Sequence, residues 1–416
     1  MLLHPTMRPS GRCPLLIVAC ALAVALCGTL AACGAEATNG TGEVRFEKDA
    51  SSPFDSFDRD AAYASWINAH FHRMLVYPPY FHEVGADKWY KRGLAYDDAY
   101  AIYRSSRLAV EHPDWILRNA AGHRLYIPFE CSGGSCPQYA ADISNPEYRA
   151  YWIKSLRSTL EHGEYAGAWI DDVDMSANVG NRLGERQPAV GHQGAVLTDE
   201  AWRSYMATFM REIRQALPNR YEIVQNQVWY EGCASGPCPA SRYTGEAIRQ
   251  ATWINREFGL NDSRLTGGIG TRGGGANEFS LYSLFSYIGE VHALGEGIIM
   301  SGGGESINEQ EYNLAGYFLV NDGKDMVQGG GNRETPLSFW AGYGVNLGNA
   351  AGARRRSSDG LWERRFAKGL VLLNEPGAST KTIGLPEPMV TPEGVVVRAV
   401  TLPEKSGAVL RFESLG

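Results

Sequence analysis

The stretch Ala166-Gly-Ala-Trp-Ile-Asp-Asp-Val-Asp-Met175 decides the fold class of this chain. Its short apolar run ends abruptly in three acids, Asp171, Asp172 and Asp174. Burying unpaired carboxylates is costly, so a buried strand with acids at its carboxyl end indicates a site. In a βα-barrel the chemistry takes place at that end of the strands. The alternative from these residues alone is a strand followed by an Asp-rich turn.

Apolar runs and helical patterns alternate on both sides of this stretch. Residues 73–77, 221–226, 252–257, 297–300 and 325–327 are predicted strands. Residues 96–109, 145–161, 199–217, 278–294 and 310–321 are predicted helices. This alternation predicts a parallel sheet closed into a (β/α)8 TIM barrel. After residue 352 the runs are short and separated by Pro and Gly, which predicts a small C-terminal antiparallel β domain.

Four segments follow from these patterns. Residues 1–33 resemble a bacterial lipoprotein signal, because Arg8 and Arg12 precede an apolar run that ends before Cys33, the expected lipid acceptor. An ordinary signal peptide and a membrane anchor are the alternatives. Residues 34–52 are expected to be a flexible tether, 53–350 the TIM barrel, and 351–416 a β-sandwich-like module. We therefore expect a lipid-anchored, exported protein of the bacterial cell envelope, in contact with the membrane through Cys33.

The four cysteines beyond residue 33 form two C-x4-C pairs, Cys131 with Cys136 and Cys233 with Cys238. An exported chain meets an oxidising compartment, so we expect two local disulfides. The alternative is a single zinc site with four Cys ligands. Gly- and Ser-rich loops without a neighbouring His favour the disulfides.

Composition argues against several classes of partner. The net charge is −7 and no basic stripe carries interleaved aromatic residues, so we expect no nucleic-acid partner. Residues 268–273 match G-x-G-x-x-G but no strand directly precedes them, which favours a substrate loop over a dinucleotide site. His70, His72 and His82 lack a metal-binding spacing. We therefore expect no cofactor and no metal ion. We also expect the protein to be monomeric.

Carboxylates at two strand ends are the candidate catalytic residues. Hydrolysis of a glycosidic bond requires one acid that protonates the leaving oxygen and a second carboxylate that attacks carbon or activates water. Asp171 and Glu257 supply such a pair if both strand ends lie on one rim. Successive strand residues point to opposite sides, so we expect Asp171 rather than Asp172 to face the barrel mouth. The alternative for Glu257 is an ordinary ion pair with Arg256.

Further polar and aromatic residues near these strand ends are candidate substrate contacts. Amide and carboxylate groups hydrogen-bond sugar hydroxyls, and aromatic rings stack on sugars. The alternatives are a turn cap for Asp174 and barrel-rim structure for the amides. The predicted set is Asp172, Asp174, Gln225, Asn226, Tyr77 and Trp229.

Three segments, residues 115–122, 142–152 and 165–174, resemble bacterial glycoside hydrolases of the TIM-barrel fold, including the hypothetical glycosyl hydrolase 15-like group. Endo-α-1,4-polygalactosaminidases are more distantly similar. Phe366-Ala-Lys-Gly-Leu-Val-Leu-Leu-Asn374 is similar to the segment that opens the C-terminal β module of these proteins. The resemblance implies that Asp171 is the strand-four acid and that Glu257 is the later one. The chain departs from the pattern at Ala166, where the family often has Asp.

These observations predict a lipid-anchored glycoside hydrolase that acts on an oligo- or polysaccharide, with an α-linked exopolysaccharide as a candidate. A retaining mechanism makes Asp171 the nucleophile and requires carboxyl groups about 5–5.5 Å apart, whereas an inverting one makes it the base at about 6.5–9.5 Å. The alternatives are a catalytically inactive glycan-binding surface lipoprotein and a scaffold protein of an envelope complex.

Overall fold

The computed structural model describes residues 40–49, 61–77, 90, 92–163, 165–226, 228, 241–268, 280–329 and 339–413. The strands in this part of the chain are β1 (Thr41–Glu43), β2 (Phe46–Asp49), β3 (Phe71–Val76), β4 (Gly93–Asp98), β5 (Ala101–Tyr103), β6 (Gln138–Ala140), β7 (Gly167–Asp171), β8 (Glu222–Asn226), β9 (Trp253–Arg256), β10 (Gly297–Met300), β11 (Met326–Gln328), β12 (Asn346–Asn349), β13 (Arg355–Arg356), β14 (Trp362–Phe366), β15 (Gly369–Asn374), β16 (Lys381–Val390), β17 (Val396–Leu402) and β18 (Ser406–Phe412). The helices are α1 (Ala61–His70), α2 (Arg107–Glu111), α3 (Pro146–Gly163), α4 (Asp199–Ala216), α5 (Arg242–Ile248), α6 (Leu281–Ala293) and α7 (Ile307–Val320), with short 3-10 helices at Gly259–Asn261 and Ala341–Gly344.

Eight parallel strands close into a barrel in the order β2-β3-β4-β7-β8-β9-β10-β11, and β11 pairs with β2. Each barrel strand lies beside its predecessor along the chain, as expected where helices connect parallel strands. The predicted TIM barrel is thus confirmed. The acid-tipped strand β7 is the fourth barrel strand, and β9 is the sixth.

A layer of apolar side chains fills the barrel interior. Leu94, Trp169, Val224, Trp253 and Ile299 belong to one buried cluster with Leu75 and Met326, and the cluster takes one residue from each strand except β2. Each fully buried side chain of this size contributes roughly 1.5–3 kcal/mol to folding. Because strand side chains alternate, the residues two positions later also face the barrel axis, at the carboxyl end of each strand.

The amino end of the barrel is closed by polar contacts. The Arg73 guanidinium forms an ion pair with Glu222, and it lies 5.6 Å from the ring of Trp253. His292 contacts Asp325 through Nε2 at 2.9 Å, and Asp325 also accepts a hydrogen bond from the Ile298 backbone. These contacts lie where β3, β8 and β10 begin, so they stabilise the end of the barrel opposite the acid-tipped strands.

The surrounding helices begin at clear capping signals. Pro146 opens α3, where a missing backbone N–H costs nothing. Thr198 caps α4 by accepting a hydrogen bond from the Ala201 backbone. Ser306 and Glu309 form a reciprocal capping box at the start of α7. The predicted helices at 145–161, 199–217, 278–294 and 310–321 are therefore confirmed within three residues at each end.

The N-terminal part of the described chain corrects the prediction of a tether over residues 34–52. β1 pairs antiparallel with β12, and β2 is the first strand of the barrel. Phe46 in β2 is 2% exposed and its ring lies 4.3 Å from that of Tyr343. The prediction was therefore wrong for residues 41–49, and the strand at 73–77 is the second barrel strand rather than the first.

The prediction of a helix over residues 96–109 was also wrong. Residues 93–98 form β4, the third barrel strand, and only Arg107–Glu111 is helical in that region. Two long connecting segments, called the excursions below, follow the strands: residues 99–145 between β4 and α3, and residues 172–198 between β7 and α4. Bridges between Tyr126 and Gly180 and between Arg118 and Val190 join the two excursions at the carboxyl end of the barrel.

The C-terminal residues form one six-stranded sheet in the order β13-β14-β15-β18-β16-β17, in which all pairs are antiparallel. The antiparallel domain was predicted, but the described residues form a single sheet rather than the two packed sheets of a sandwich. The sheet packs on α7: Gly407 approaches Ala315 so closely that a Cβ would lie 2.5 Å from the alanine methyl. The backbone N–H of Val409 donates to Glu311 at 3.0 Å.

Two further sequence predictions concern residues that the structure describes. Cys131 and Cys136 form a disulfide, as predicted. In the part of the chain that the structure describes, none of the helices combines the length and apolar character of a membrane span. Cys33, Trp229 and the Cys233–Cys238 pair lie outside the described residues, so the predictions for them stay predictions.

Candidate active site

Asp171 occupies the last position of β7 and faces the barrel axis. It lies two residues after the inward-facing Trp169, as the alternation predicted. The Tyr96 hydroxyl donates to its Oδ2 at 2.7 Å, and the Asn226 amide donates to its Oδ1 at 2.7 Å. The backbone N–H of Asp172 also donates to Oδ1, at 2.8 Å. Neighbouring strands on both sides therefore hold the carboxylate in place.

A directional chain of hydrogen bonds leads to Asp171 from the next three strands. The Ser301 hydroxyl donates to Oδ1 of Asn255 at 2.5 Å, and Nδ2 of Asn255 donates to Oδ1 of Asn226 at 2.7 Å. Asn226 and Asn255 are each 5% exposed. Because the oxygen of Asn226 is engaged by Asn255, its NH2 group is the group that faces Asp171.

The third barrel strand contributes two acids that the sequence reasoning missed. Asp98 lies beside Asp171 in the strand register, and Asp97 precedes it. Burial and the charge of Asp171 raise the pKa of Asp98 well above its usual range, and burial raises the pKa of Asp97 to about 7. Burial, followed by the charge of Asp171, also raises the pKa of Tyr96, so its phenol remains a donor. The sequence does contain a signal for these two acids, because Leu94-Ala-Tyr-Asp-Asp98 repeats the pattern of β7, a short uncharged run that ends in two Asp residues.

Asp172 sits in a strained turn directly after the strand. Its φ is 52°, a left-handed conformation that non-Gly residues adopt rarely and that clusters at functional sites. Burial is the main cause that raises its pKa well above the usual range. The charges of Asp98, Asp174, Asp171 and Glu257 add to this effect.

Glu257 directly follows β9, so it lies on the same rim as Asp171. It is half-buried, and its charge acts on Asp172. The next residue, Phe258, also has a left-handed backbone, with φ 62°. Both predicted catalytic acids are therefore followed at once by a strained residue where the chain leaves its strand.

Arg256 forms a buried ion pair with Asp262. Its guanidinium contacts Asp262 at 2.5 Å, and both side chains are 3% exposed. Burial opposes the ionisation of Asp262, but hydrogen bonds from Arg264 and the charge of Arg256 outweigh it and lower the pKa of Asp262 to about 2. Arg256 also donates to the backbone carbonyl of Glu257, which fixes the start of the turn.

Of the remaining predicted substrate contacts, Tyr77 lies beside the site, whereas Asp174 and Gln225 make contacts within the fold. Tyr77 is half-buried beside the site and its ring lies 4.6 Å from that of Tyr96. Asp174 is 5% exposed and accepts a hydrogen bond from the Tyr100 hydroxyl at 2.7 Å, so it holds the loop after β7. Gln225 is fully buried and donates to the carbonyl of Ala247 in α5. It points away from the barrel axis, which contradicts its prediction as a substrate contact.

One histidine and two acids form a cluster at the end of the barrel opposite Asp171. Among the described residues, His292, Asp322 and Asp325 are the group that could hold a metal ion, at the amino end of the barrel. Burial opposes the protonation of His292, but the charge of Asp325 outweighs it and raises the His292 pKa. Burial and Arg73 lower the pKa of His72 to about 4.

Comparisons with known proteins show similarity to glycoside hydrolases. The model of hypothetical glycosyl hydrolase family 15 matches residues 80–263, which include Asp98, Asp171 and Glu257. No curated protein sequence matched the chain. A noncanonic maltogenic α-amylase, AmyB from Thermotoga neapolitana, has a TM-score of 0.51 at 12% identity, over 88% of this chain and 98% of that one. This similarity shows the barrel fold.

Two other similarities to solved structures are too low to carry an argument. The α-amylase from Geobacillus thermoleovorans has a TM-score of 0.47 at 10% identity, over 91% of this chain and 100% of that one. The glycoside hydrolase domain of PelA from Pseudomonas aeruginosa has a TM-score of 0.39 at 12% identity, over 74% of this chain and 99% of that one. The family match and the eight-stranded barrel make this chain similar to the TIM-barrel glycoside hydrolases, and they support the cleavage of glycans.

Proposed function

We propose that this protein hydrolyses glycosidic bonds of a polysaccharide at the carboxyl end of its barrel, with Asp171 and Glu257 as the catalytic pair. The observation that carries the proposal is the contact set of Asp171. Its two oxygens accept hydrogen bonds from Tyr96 and Asn226 on the flanking strands, while the side chain faces the axis. A carboxylate fixed in this way is suited to attack an anomeric carbon or to activate water.

Glu257 is the proposed acid/base partner. One strand, β8, separates β7 from β9, so the two strands are two spacings, roughly 10 Å, apart, and Glu257 lies two residues beyond Asn255, the residue of β9 that is level with Asp171. Side chains that lean toward the barrel axis shorten the separation between the carboxyl groups. A retaining mechanism requires carboxyl groups about 5–5.5 Å apart, and an inverting one requires about 6.5–9.5 Å.

The surroundings of the pair support a glycan substrate. Tyr77 and Tyr96 place two aromatic rings beside Asp171, and rings of this kind stack on sugars. The long excursions after β4 and β7 rise from the same end of the barrel and provide walls for a longer chain. We test an α-linked exopolysaccharide first, because the sequence resembles endo-α-1,4-polygalactosaminidases.

We also propose that the protein is exported and attached to the cell envelope through a lipid on Cys33, and that it is monomeric. The disulfide between Cys131 and Cys136 supports an oxidising compartment. The basic and apolar N-terminal sequence supports the lipoprotein signal. Metabolic labelling with a palmitate analogue in a bacterial host, with Cys33→Ser as the control, tests the anchor.

The proposed function is tested with a panel of polysaccharides that includes α-1,4-linked galactosaminoglycan. We expect the wild-type protein to release new reducing ends from at least one of them, and we expect Asp171→Asn and Glu257→Gln to bind the same polymer without cleaving it. The matched control is Asp142→Asn, which changes a buried acid in the loop between β6 and α3. Binding without cleavage by the wild type would instead support the glycan-binding alternative.

A further inference from the structure

Asp98 and Asp171 lie side by side on neighbouring barrel strands. They are register partners across β4 and β7, and adjacent strands are about 4.8 Å apart. Asp98 follows the inward-facing Leu94 by four residues, and Asp171 follows Trp169 by two, so both carboxyl groups face the barrel axis. Asp98 is 6% exposed. Two acids therefore share one face of the site, and one of them is almost fully buried.

Hydrogen-bond donors are distributed unevenly over the two acids. Asp171 accepts hydrogen bonds on both oxygens. Asp98 accepts two, from the backbone N–H groups of Tyr100 and Ala101, and both go to Oδ1. In the described part of the chain no donor contacts Oδ2 of Asp98. A proton on Oδ1 of Asp171 would displace a hydrogen bond, and one on its Oδ2 would share that oxygen with the Tyr96 donor, whereas Oδ2 of Asp98 accepts none from the described residues.

In the part of the chain that the structure describes, the titratable groups that face Asp98 are acidic or neutral. Among the described residues, no Arg, Lys or His forms an ion pair with it. Two like charges this close in a buried site disfavour each other, and the result is that one carboxyl keeps its proton. The titratable neighbours are Tyr96 and Asp97 on β4, Asp171 and Asp172 on and after β7, Tyr100 in the loop after β4, and Tyr148 on α3.

We propose that Asp98 is a positioning residue for Asp171: it holds a proton on Oδ2 and lies neutral beside the Asp171 carboxylate. This inference rests on the proposed function for its catalytic meaning. With Asp98 neutral, Asp171 keeps its hydrogen bonds to Tyr96 and Asn226. If Asp98 loses its proton, repulsion between the two anions turns Asp171 away from these donors and misplaces it for attack on the sugar.

The proton on Asp98 is tested by carbon NMR of the full protein labelled at the aspartate side-chain carboxyl carbons. We expect a protonated carboxyl signal at pH 7 that is lost in Asp98→Asn. In Asp171→Asn the same signal should titrate at least one pH unit lower, because the neighbouring negative charge is gone. Asp142→Asn is the matched control: it removes another buried acid whose Oδ1 accepts from a nearby backbone N–H, and it should leave the Asp98 signal in place.

This measurement needs no substrate, so it separates failure of the inference from failure of the proposed function. The inference is overturned if Asp98→Asn removes no protonated signal at pH 7, or if Asp171→Asn leaves the titration of Asp98 where it was. With a hydrolysed substrate in hand, the activity of Asp98→Asn should persist at alkaline pH where the wild type loses it. If the acid limb of the kcat/KM profile lies at lower pH in Asp98→Asn than in the wild type, Asp98 is charged in the wild type. That result would also overturn the inference.

Discussion

The Asn226 amide donates a 2.7 Å hydrogen bond to Oδ1 of Asp171, from the strand next to the one that carries the acid. Asn255 fixes the direction of that amide, and Ser301 fixes Asn255 in turn. Three successive strands therefore orient one carboxylate. Such preorganisation is what a catalytic group requires, because reacting atoms must already be aligned when the substrate binds.

Asn226→Ala removes this donor and should lower kcat/KM. A hydrogen bond to a charged group contributes about 1.5–3 kcal/mol, which corresponds to a loss of roughly 10- to 150-fold. Initial rates of reducing-end release measure the effect. Gln225→Ala is the matched control, since the neighbouring amide faces Ala247 and its loss should affect stability rather than rate. Equal rates for wild type and Asn226→Ala would contradict the orienting role.

Tyr96→Phe removes the second side-chain donor to Asp171 while it keeps the ring against Tyr77. We expect kcat to fall by roughly tenfold, the equivalent of about 1.4 kcal/mol, with little change in KM, because the hydroxyl acts on the carboxylate and the ring stays in place. Steady-state kinetics on the cleaved polymer separate the two constants. A rise in KM with constant kcat would instead assign Tyr96 to substrate binding.

Asp97→Asn should change how stability depends on pH. Burial raises the pKa of Asp97 to about 7, above its value in the unfolded chain. Its contribution to stability is therefore fully present below about pH 4 and is lost as the pH rises through about 7. We expect the melting temperature of the variant to match the wild type at pH 4 and to exceed it by roughly 2–4 °C at pH 8.

Calorimetry at both pH values checks this expectation. Asp114→Asn, at an exposed position, is the control and should melt like the wild type at both. A variant that gains nothing at pH 8 would show that Asp97 is ionised at little cost in the folded protein.

Glu375→Ala should destabilise the contact between the C-terminal sheet and the loop that follows β9. Glu375 is 3% exposed and accepts hydrogen bonds from Trp362 at 2.8 Å, Arg356 at 2.9 Å and the Gly268 backbone at 2.9 Å. Its loss leaves the buried indole N–H of Trp362 without a partner and removes two partly exposed hydrogen bonds, at a cost of about 2–4 kcal/mol.

Urea unfolding measures this change in the free energy of unfolding. Glu111→Ala breaks an exposed ion pair with Arg107 on a helix surface and should shift the midpoint little. If both variants unfolded at the same urea concentration, Glu375 would not anchor the loop.

The sequence allowed the later barrel strands to be predicted because each is an apolar run followed by a helical pattern. β2 was missed because Glu47 and Lys48 interrupt it, although Glu47 is fully buried. Hydropathy does not reveal a charge that tertiary contacts accommodate; here Glu47 accepts a hydrogen bond from the Leu75 backbone. β4 was taken for the start of a helix because no turn signal separates the strand from the residues that follow.

Within the site, alternation along the strand correctly selected Asp171 over Asp172 as the inward-facing acid. The same rule, applied to β8, would have excluded Gln225, because Val224 and Asn226 face the axis and the residue between them cannot. The hydrogen-bond chain through Asn255 and Ser301 depends on the register between strands, which a single sequence does not specify.

The rate of glycosidic-bond cleavage by Asp171→Asn tests the central claim most directly. Asparagine keeps the shape of the side chain but cannot attack carbon or accept a proton from water, so we predict a loss of at least about 1,000-fold in kcat with an unchanged melting temperature. Asp142→Asn, measured beside it, should retain activity. Cleavage by Asp171→Asn within tenfold of the wild-type rate would contradict the assignment of Asp171 as the catalytic carboxylate.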